Sequence, residues 1–269
     1  MRLLPILALA AAAAGCQPRF ASVAPVTPRL EPSPVSIERV TLRYSNLYLL
    51  RQGTTVALVD AGSPSDVPAA TEALAAAGLR PSDVRLVVLT HGHGDHAGMG
   101  RFFQRAGAKM VVGRGDELQT TVGRNDEMHS TGPFATLARP LLRIDYEPFT
   151  PDVIVEDVLD LASLGLRGAV VRRMAGHTRG SVVVVVGGEA FVGDQMLGGV
   201  WGGIFHADEP GEHYYQLDPA RTHCNVQALL DAGIERFYLG HGGPVTRDRV
   251  LEWRRSWPET PCAVSFSLR

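Results

Sequence analysis

From residue 37 onward the hydrophobic pattern is strand-like in three successive runs, IERVTLRY, NLYLL and TVALVDAG. An alanine-rich helical stretch follows from Asp66 to Ala77 and meets a stop signal at Gly78. LVVLT (86–90) is a continuous apolar run and reads as a buried strand. A helix is expected from Asp95 to Arg105 and a strand at AKMVV (108–112), whereas residues 114–150 mix turn formers with other signals and read as a helix plus a long surface loop. The second half repeats the alternation. Strands are expected around 153–161, at GAVVRRM (168–174), SVVVVV (181–186) and EAFVGD (189–194); a helix from Asp218 to Ala232, the short strand FYLG (237–240) and a helix from Thr246 to Arg255 follow. Such alternation defines an α/β layered fold. No short-period repeat is visible, and residues 37–269 read as one domain.

The first residues follow another pattern. MRLLPILALAAAAAGC places Arg2 before an apolar stretch from Leu3 to Ala14, which is shorter than the roughly 20 residues a bilayer span takes. Residues 1–15 therefore read as a secretory signal. Ala14-Gly15-Cys16 resembles the lipobox of bacterial lipoproteins, although Ala13 stands where leucine is commoner. The resemblance implies cleavage before Cys16, lipidation of that cysteine and a membrane tether outside the cytoplasm. Gln17 in place of aspartate implies the outer membrane, facing the periplasm. Residues 16–36 contain Pro18, Pro25, Pro28, Pro32 and Pro34 and read as an extended spacer. Cys224 and Cys262 remain; in an oxidising compartment they are either paired or free, and spacing alone does not decide.

Composition narrows the function. A net charge of −2 gives no nucleic-acid footprint, and Lys109, in GAKM, is the only lysine and lies outside any phosphate-binding P-loop. No G-x-S-x-G elbow supplies a serine nucleophile.

The chemistry is concentrated in His91-Gly92-His93-Gly94-Asp95-His96, four metal-capable side chains directly after a hydrophobic strand. Strand ends in open α/β sheets are where ligands bind, and the two glycines let the backbone turn several donors onto one centre. His177 lies in a turn after GAVVRRM, Asp194 ends FVGD, and His241 ends FYLG before Gly242 and Gly243. Together these make five histidines and two aspartates, enough for two metals. Imidazole and carboxylate donors without thiolate suit catalytic zinc.

In order along the chain, HGHGDH (91–96), GHT (176–178), GD (193–194) and GHGGP (240–244) resemble the motifs of the metallo-β-lactamase-fold hydrolases; Asn46 and LVDAG (58–62) match earlier positions. The resemblance implies a four-layer αββα sandwich with a site along one edge. It also implies that His91, His93 and His177 hold one Zn²⁺, that Asp95, His96 and His241 hold a second, that Asp194 bridges them, and that Asp60 positions the metal-binding loop. A metal-bound hydroxide would then be the nucleophile, oriented by Asp95. Two Zn²⁺, two aspartates and a hydroxide leave about +1, favouring a carboxylate or a developing oxyanion.

Within that family an ester, thioester or lactone carbonyl is the expected target of a small-molecule hydrolase. The alternatives are a β-lactamase, a mononuclear iron persulfide dioxygenase and a non-catalytic metal-binding lipoprotein. Little chain follows His241, whereas glyoxalase II-like enzymes carry a helical substrate domain there; Leu197 replaces the tyrosine common in acyl-homoserine lactonases; and true metallo-β-lactamases usually lack the aspartate seen at Asp194. No protein partner is inferable. The segment 197–219 should border the site, with Trp201, Phe205, His206, His213 and Tyr214 as candidate substrate contacts and Arg179 as a possible carboxylate contact.

Overall fold

A computed structural model describes residues 20–22, 35–126, 128–139, 143–258 and 262. The expected signal segment, residues 1–15, and the expected lipidation site Cys16 lie outside the described residues.

The first sheet runs in the order β1 (Phe20–Ser22), β2 (Ser36–Thr41), β3 (Asn46–Gln52), β4 (Thr55–Val59), β5 (Leu86–Val88), β6 (Lys109–Gly113) and β7 (Val153–Val155). It is antiparallel up to β4 and parallel from β4 to β7. The second half supplies β8 (Val158–Asp160), β9 (Ala169–Arg173), β10 (Val182–Val186) and β11 (Glu189–Gly193). It continues through a separate hairpin, β12 (Leu197–Val200) with β13 (Phe205–Gly211), to β14 (Arg236–Leu239) and β15 (Val245–Thr246). The second sheet runs β15-β14-β11-β10-β9-β8.

Period-two alternation builds the layers. On β3, Leu47 and Leu49 face outward onto Ala70, Ala73 and Leu74 of α1 (Val67–Ala76). Tyr48 and Leu50 face inward, where they join Val59 and Val88 against Val171, Val182, Val184 and Phe191 of the second sheet. Val183 and Val185 turn to that sheet's outer face, under Val226, Leu229 and Leu230 of the long helix Pro219–Asp231. The all-valine β10 is thus buried on both faces, which explains its unbroken apolar run. The order helix, sheet, sheet, helix is the expected four-layer sandwich.

Four local differences from the sequence reading have physical reasons. The helix expected over 95–105 is two, α2 (Gly94–Ala97) and α3 (Gly100–Ala106), broken where Gly98 packs against the Gly62 and Gly94 carbonyls. Residues 114–150 hold α4 (Glu117–Val122) and α5 (Pro133–Ala138) rather than one helix. The β12–β13 hairpin lies in the segment 197–219, where no strand is expected from sequence; its glycines, proline and charges carry no alternating pattern. Within the expected spacer, Phe20–Ser22 pairs with β2 as an edge strand, a position that tolerates flanking prolines.

The long helix is α6 (Pro219–Asp231), and α7 (Arg247–Arg254) closes the domain. Cys224 of α6 is bonded to Cys262, with a Cα separation of 5.2 Å, which settles the pairing left open by sequence.

Candidate metal centre

The parallel pairs β4/β5 and β11/β14 carry their chain ends to one edge of the sandwich. Asp60 follows β4, Thr90 and His91 follow β5, Asp194 follows β11, and His241 lies just after β14. His177 comes from the turn between β9 and β10.

Each imidazole has one ring nitrogen fixed by a neighbour. Asp60, at a left-handed φ of 65° uncommon outside glycine, accepts from Thr90 N–H at 2.7 Å and faces His96 Nδ1 at 2.9 Å. His91 Nδ1 lies 3.1 Å from the Thr90 hydroxyl, and His93 Nε2 lies 3.0 Å from Asp126 Oδ1. His177 Nδ1 donates to the Tyr215 carbonyl at 2.8 Å, and His241 Nδ1 to the Tyr44 carbonyl at 2.6 Å. Holding one nitrogen fixes the ring and aims the other into the centre.

The opposite nitrogens converge. Donor atoms of His91, His93 and His177 lie within 4.8 Å of one another, as do those of Asp95, His96 and His241. Asp194 Oδ2 stands between the trios, 3.8 Å from His91 Nε2, 3.7 Å from His177 Nε2, 3.5 Å from His96 Nε2 and 3.3 Å from His241 Nε2. Meanwhile His91 Nε2 and Asp194 Oδ1 are buried with no hydrogen-bond partner. Such orphaned groups cost about 1–3 kcal/mol each in an apolar interior. A cation among them removes that cost, so the donor set fits metal ions.

The electrostatics agree with this. Burial pushes the Asp95 and Asp194 carboxyls up, but the surrounding histidines outweigh it and hold both well below the usual range. Burial drives His91 and His177 well below the ordinary histidine value, keeping them neutral donors. On the other side, burial is overcome by Asp194 and Asp95, which raise His241 to about 10 and His96 well above its ordinary value.

Two carboxylates absent from the sequence reading hold the loops. Buried Asp116 accepts from Gly92 N–H (2.9 Å), Gly180 N–H (2.8 Å) and the Thr178 hydroxyl (2.6 Å), tying the first motif to the second. Asp126 orients His93. Both sit in turn-rich stretches, GRGDE and RNDE, where no motif marks them. Asn46, matched by resemblance, donates its amide to the Leu239 and Gly242 carbonyls at 3.0 and 2.7 Å and so holds the loop of His241.

Beside the centre lies a cleft of about 530 Å³. Trp201, Tyr214 and His213 line it, and His213 Nε2 reaches Asp194 Oδ2 at 3.1 Å. Arg179 and His206 do not line it. Arg179 is exposed beyond the His177 turn, where its carbonyl accepts from Arg173, and His206 points outward on β13 toward Glu209 at 3.4 Å. Phe205 is exposed on the same strand against Trp201.

Residues 40–224 match the Metallo-beta-lactamase superfamily, and the chain belongs to that family. A hydroxyacylglutathione hydrolase of Anaeromyxobacter dehalogenans is 31% identical over 72% of this chain and 60% of its own length. The structure of a metallo-beta-lactamase family protein from Thermus thermophilus matches with a TM-score of 0.55 at 25% identity, covering 82% of this chain and 78% of that one. A subclass B3 metallo-beta-lactamase of Bradyrhizobium japonicum matches with a TM-score of 0.51 at 18% identity, over 81% and 78% of the two chains, a likeness of fold alone.

Proposed function

We propose that this chain hydrolyses the carbonyl of an ester, thioester or lactone using two zinc ions. The observation that carries the reading is the position of Asp194 Oδ2, within 3.8 Å of imidazole nitrogens from both donor trios. His91, His93 and His177 would hold one ion, Asp95, His96 and His241 the other, with Asp194 shared. The gathering of seven donors favours two ions over the single iron of the dioxygenase alternative. The relative named for hydroxyacylglutathione hydrolysis supports carbonyl chemistry on a thioester; the likeness to β-lactamases below 25% identity is one of fold and supports no substrate.

Bound there, zinc supplies Lewis acidity toward a carbonyl oxygen and lowers the pKa of water to about 7. The chain's own part is geometric. The Asp95 carboxylate faces the cleft 3.4 Å from His241 Nε2, kept ionised to accept a hydrogen bond from the attacking water. The cleft's apolar walls would seat the acyl group. Export and a lipid tether at Cys16 form part of the proposal; among the described residues no helix is long and apolar enough to cross a membrane.

The test is elemental mass spectrometry on the form starting after Cys16, purified without added metal, followed by an ester, thioester, lactone and β-lactam panel. Two zinc per chain with carbonyl turnover is expected. One iron per chain would overturn the reading in favour of persulfide oxidation, metal retained without turnover of any of these compounds would leave a non-catalytic metal-binding protein, and failure to retain metal after zinc is supplied would refute the metal centre itself.

A further inference from the structure

The cleft combines an acidic, histidine-rich floor with apolar walls that include Met128, Phe134, Ile144, Leu197, Trp201 and Ile204. Besides the histidines, Arg43 is the one cationic residue among its described lining. It belongs to the turn between β2 and β3, and that turn is fastened to the metal centre. The Tyr44 carbonyl accepts from His241 Nδ1 at 2.6 Å, and Ser45 Oγ donates to the Asp95 carbonyl at 2.5 Å. Leu42 N–H closes the turn on the Ser45 carbonyl at 2.9 Å. The backbone that places Arg43 is thus the backbone that orients His241.

Its side chain is exposed and carries no ion pair with a described carboxylate; the guanidinium lies over the Tyr44 ring, 5.1 Å from the centroid. Arg124 and Arg143, next to the lining residues Asn125 and Ile144, both meet Asp145 at 3.4 Å, and Arg139, next to Ala138, does not itself line the cleft. A guanidinium laid on an aromatic face keeps its N–H edge free for a planar anion. Arg179, the carboxylate contact expected from sequence, is outside the cleft, so Arg43 is the arginine positioned for that work.

We infer that Arg43 is the specificity-determining residue of the cleft and that the substrate carries a carboxylate. That group pairs with Arg43 at the mouth, an apolar segment lies along the Phe134–Trp201 wall, and the scissile carbonyl sits over the metal donors. The inference rests on the carbonyl-hydrolase reading above and narrows it to anionic acyl compounds. A bidentate guanidinium–carboxylate pair would supply both affinity and orientation.

The experiment compares 4-nitrophenyl hemiadipate with 4-nitrophenyl hexanoate, esters of matched length that differ by the terminal carboxylate, on zinc-loaded wild type, Arg43→Gln and Arg43→Lys. Arg43→Gln should raise KM for the anionic ester about tenfold and leave the neutral ester's KM and both kcat values within about twofold. Arg43→Lys should recover part of the loss, and added salt should erode the preference. Equal KM changes for both esters would overturn the inference while leaving the hydrolase reading intact. If neither ester turns over, that reading fails for esters, and Arg43 is still read by calorimetric binding of adipate. Weaker binding by Arg43→Gln supports the anion site, and equal binding by the two proteins overturns it.

Discussion

Asp60→Asn tests the electrostatic framework of the site without disturbing its shape. Asparagine is among the residues that tolerate the left-handed region, so the φ of 65° survives the change. The aspartate carboxylate serves three donors: Thr90 N–H at 2.7 Å, the Thr90 hydroxyl at 2.9 and 3.0 Å, and His96 Nδ1 at 2.9 Å. An asparagine amide has one oxygen, so its NH2 must face either the Thr90 peptide or the His96 ring. The resulting buried donor–donor conflict costs about 1–3 kcal/mol, a factor of about 5 to 150. If the conflict falls on His96, the ring turns its proton to Nε2, the nitrogen that lies 3.3 Å from His241 Nε2 on the side of the proposed second ion. Loss of an orienting partner of this kind costs about 10- to 100-fold in metal affinity, in agreement with that range. Zinc competition against a chromophoric chelator should therefore show one site weakened 10- to 100-fold and the His91–His93–His177 site nearly unchanged, with activity restored by excess zinc. Equal affinity at both sites in the variant and wild type would refute the assignment of Asp60 as the group that orients His96.

Gly240→Ala should abolish metal binding in a protein that still folds, because its Cβ would stand 2.1 Å from Asp194 Oδ1 and 2.6 Å from His96 Cε1; elemental analysis of the purified variant reads this, and full metal retention would refute the packing argument. Arg179→Ala and His206→Ala should leave kcat, KM and metal content within about twofold, since both side chains lie outside the cleft; a selective change in KM would return them to it. Zinc uptake should release protons at pH 7 and tighten with rising pH, because His241, raised to about 10, and His96 are protonated in the metal-free chain. The sign for stability is opposite. The raised His241 stabilises the metal-free fold fully below its ordinary value of 6.5, and this is lost as pH rises through about 10, so melts in chelator should fall on the alkaline side.

The parts of the site that sequence exposed were those in which chemistry is local. HGHGDH holds four donors within six residues, Asp194 and His241 end apolar runs that already read as strands, and His177 lies in the turn after a third. The layered class was equally legible, because Leu47 and Leu49 on one face and Tyr48 and Leu50 on the other follow the period of a strand. What escaped depends on the approach of distant segments. Gly92 and Gly94 read as turn residues, yet neither adopts a left-handed φ; their missing Cβ atoms admit Gln119 and Ile144. Asp116 lies 24 residues from Gly92 and 62 from Thr178, contacts that no spacing rule encodes. The β12–β13 hairpin is rich in glycine and charge, so its pairing becomes visible only through its backbone.

The two halves of the chain divide the metal centre between them. His91, His93, Asp95 and His96 follow β5 of the first sheet, whereas His177, Asp194 and His241 follow β9, β11 and β14 of the second. The orienting bonds cross the same boundary: Tyr44 of the first half holds His241, and Asp116 of the first half holds the turn of His177. A cation at this edge would therefore cross-link the sandwich at the point where His91 Nε2 and Asp194 Oδ1 are buried without a partner. Binding to the folded state alone at 100 times Kd stabilises by about 2.7 kcal/mol per site. For a domain of this size that raises Tm by roughly 5–10 °C per site. Calorimetry of metal-free protein titrated with zinc should show the rise continue to two equivalents in wild type. In Asp194→Ala, which removes the shared carboxylate, the second equivalent should add nothing. A rise complete at one equivalent in wild type would mean that the two trios do not each hold an ion, and the dinuclear reading would fall with it.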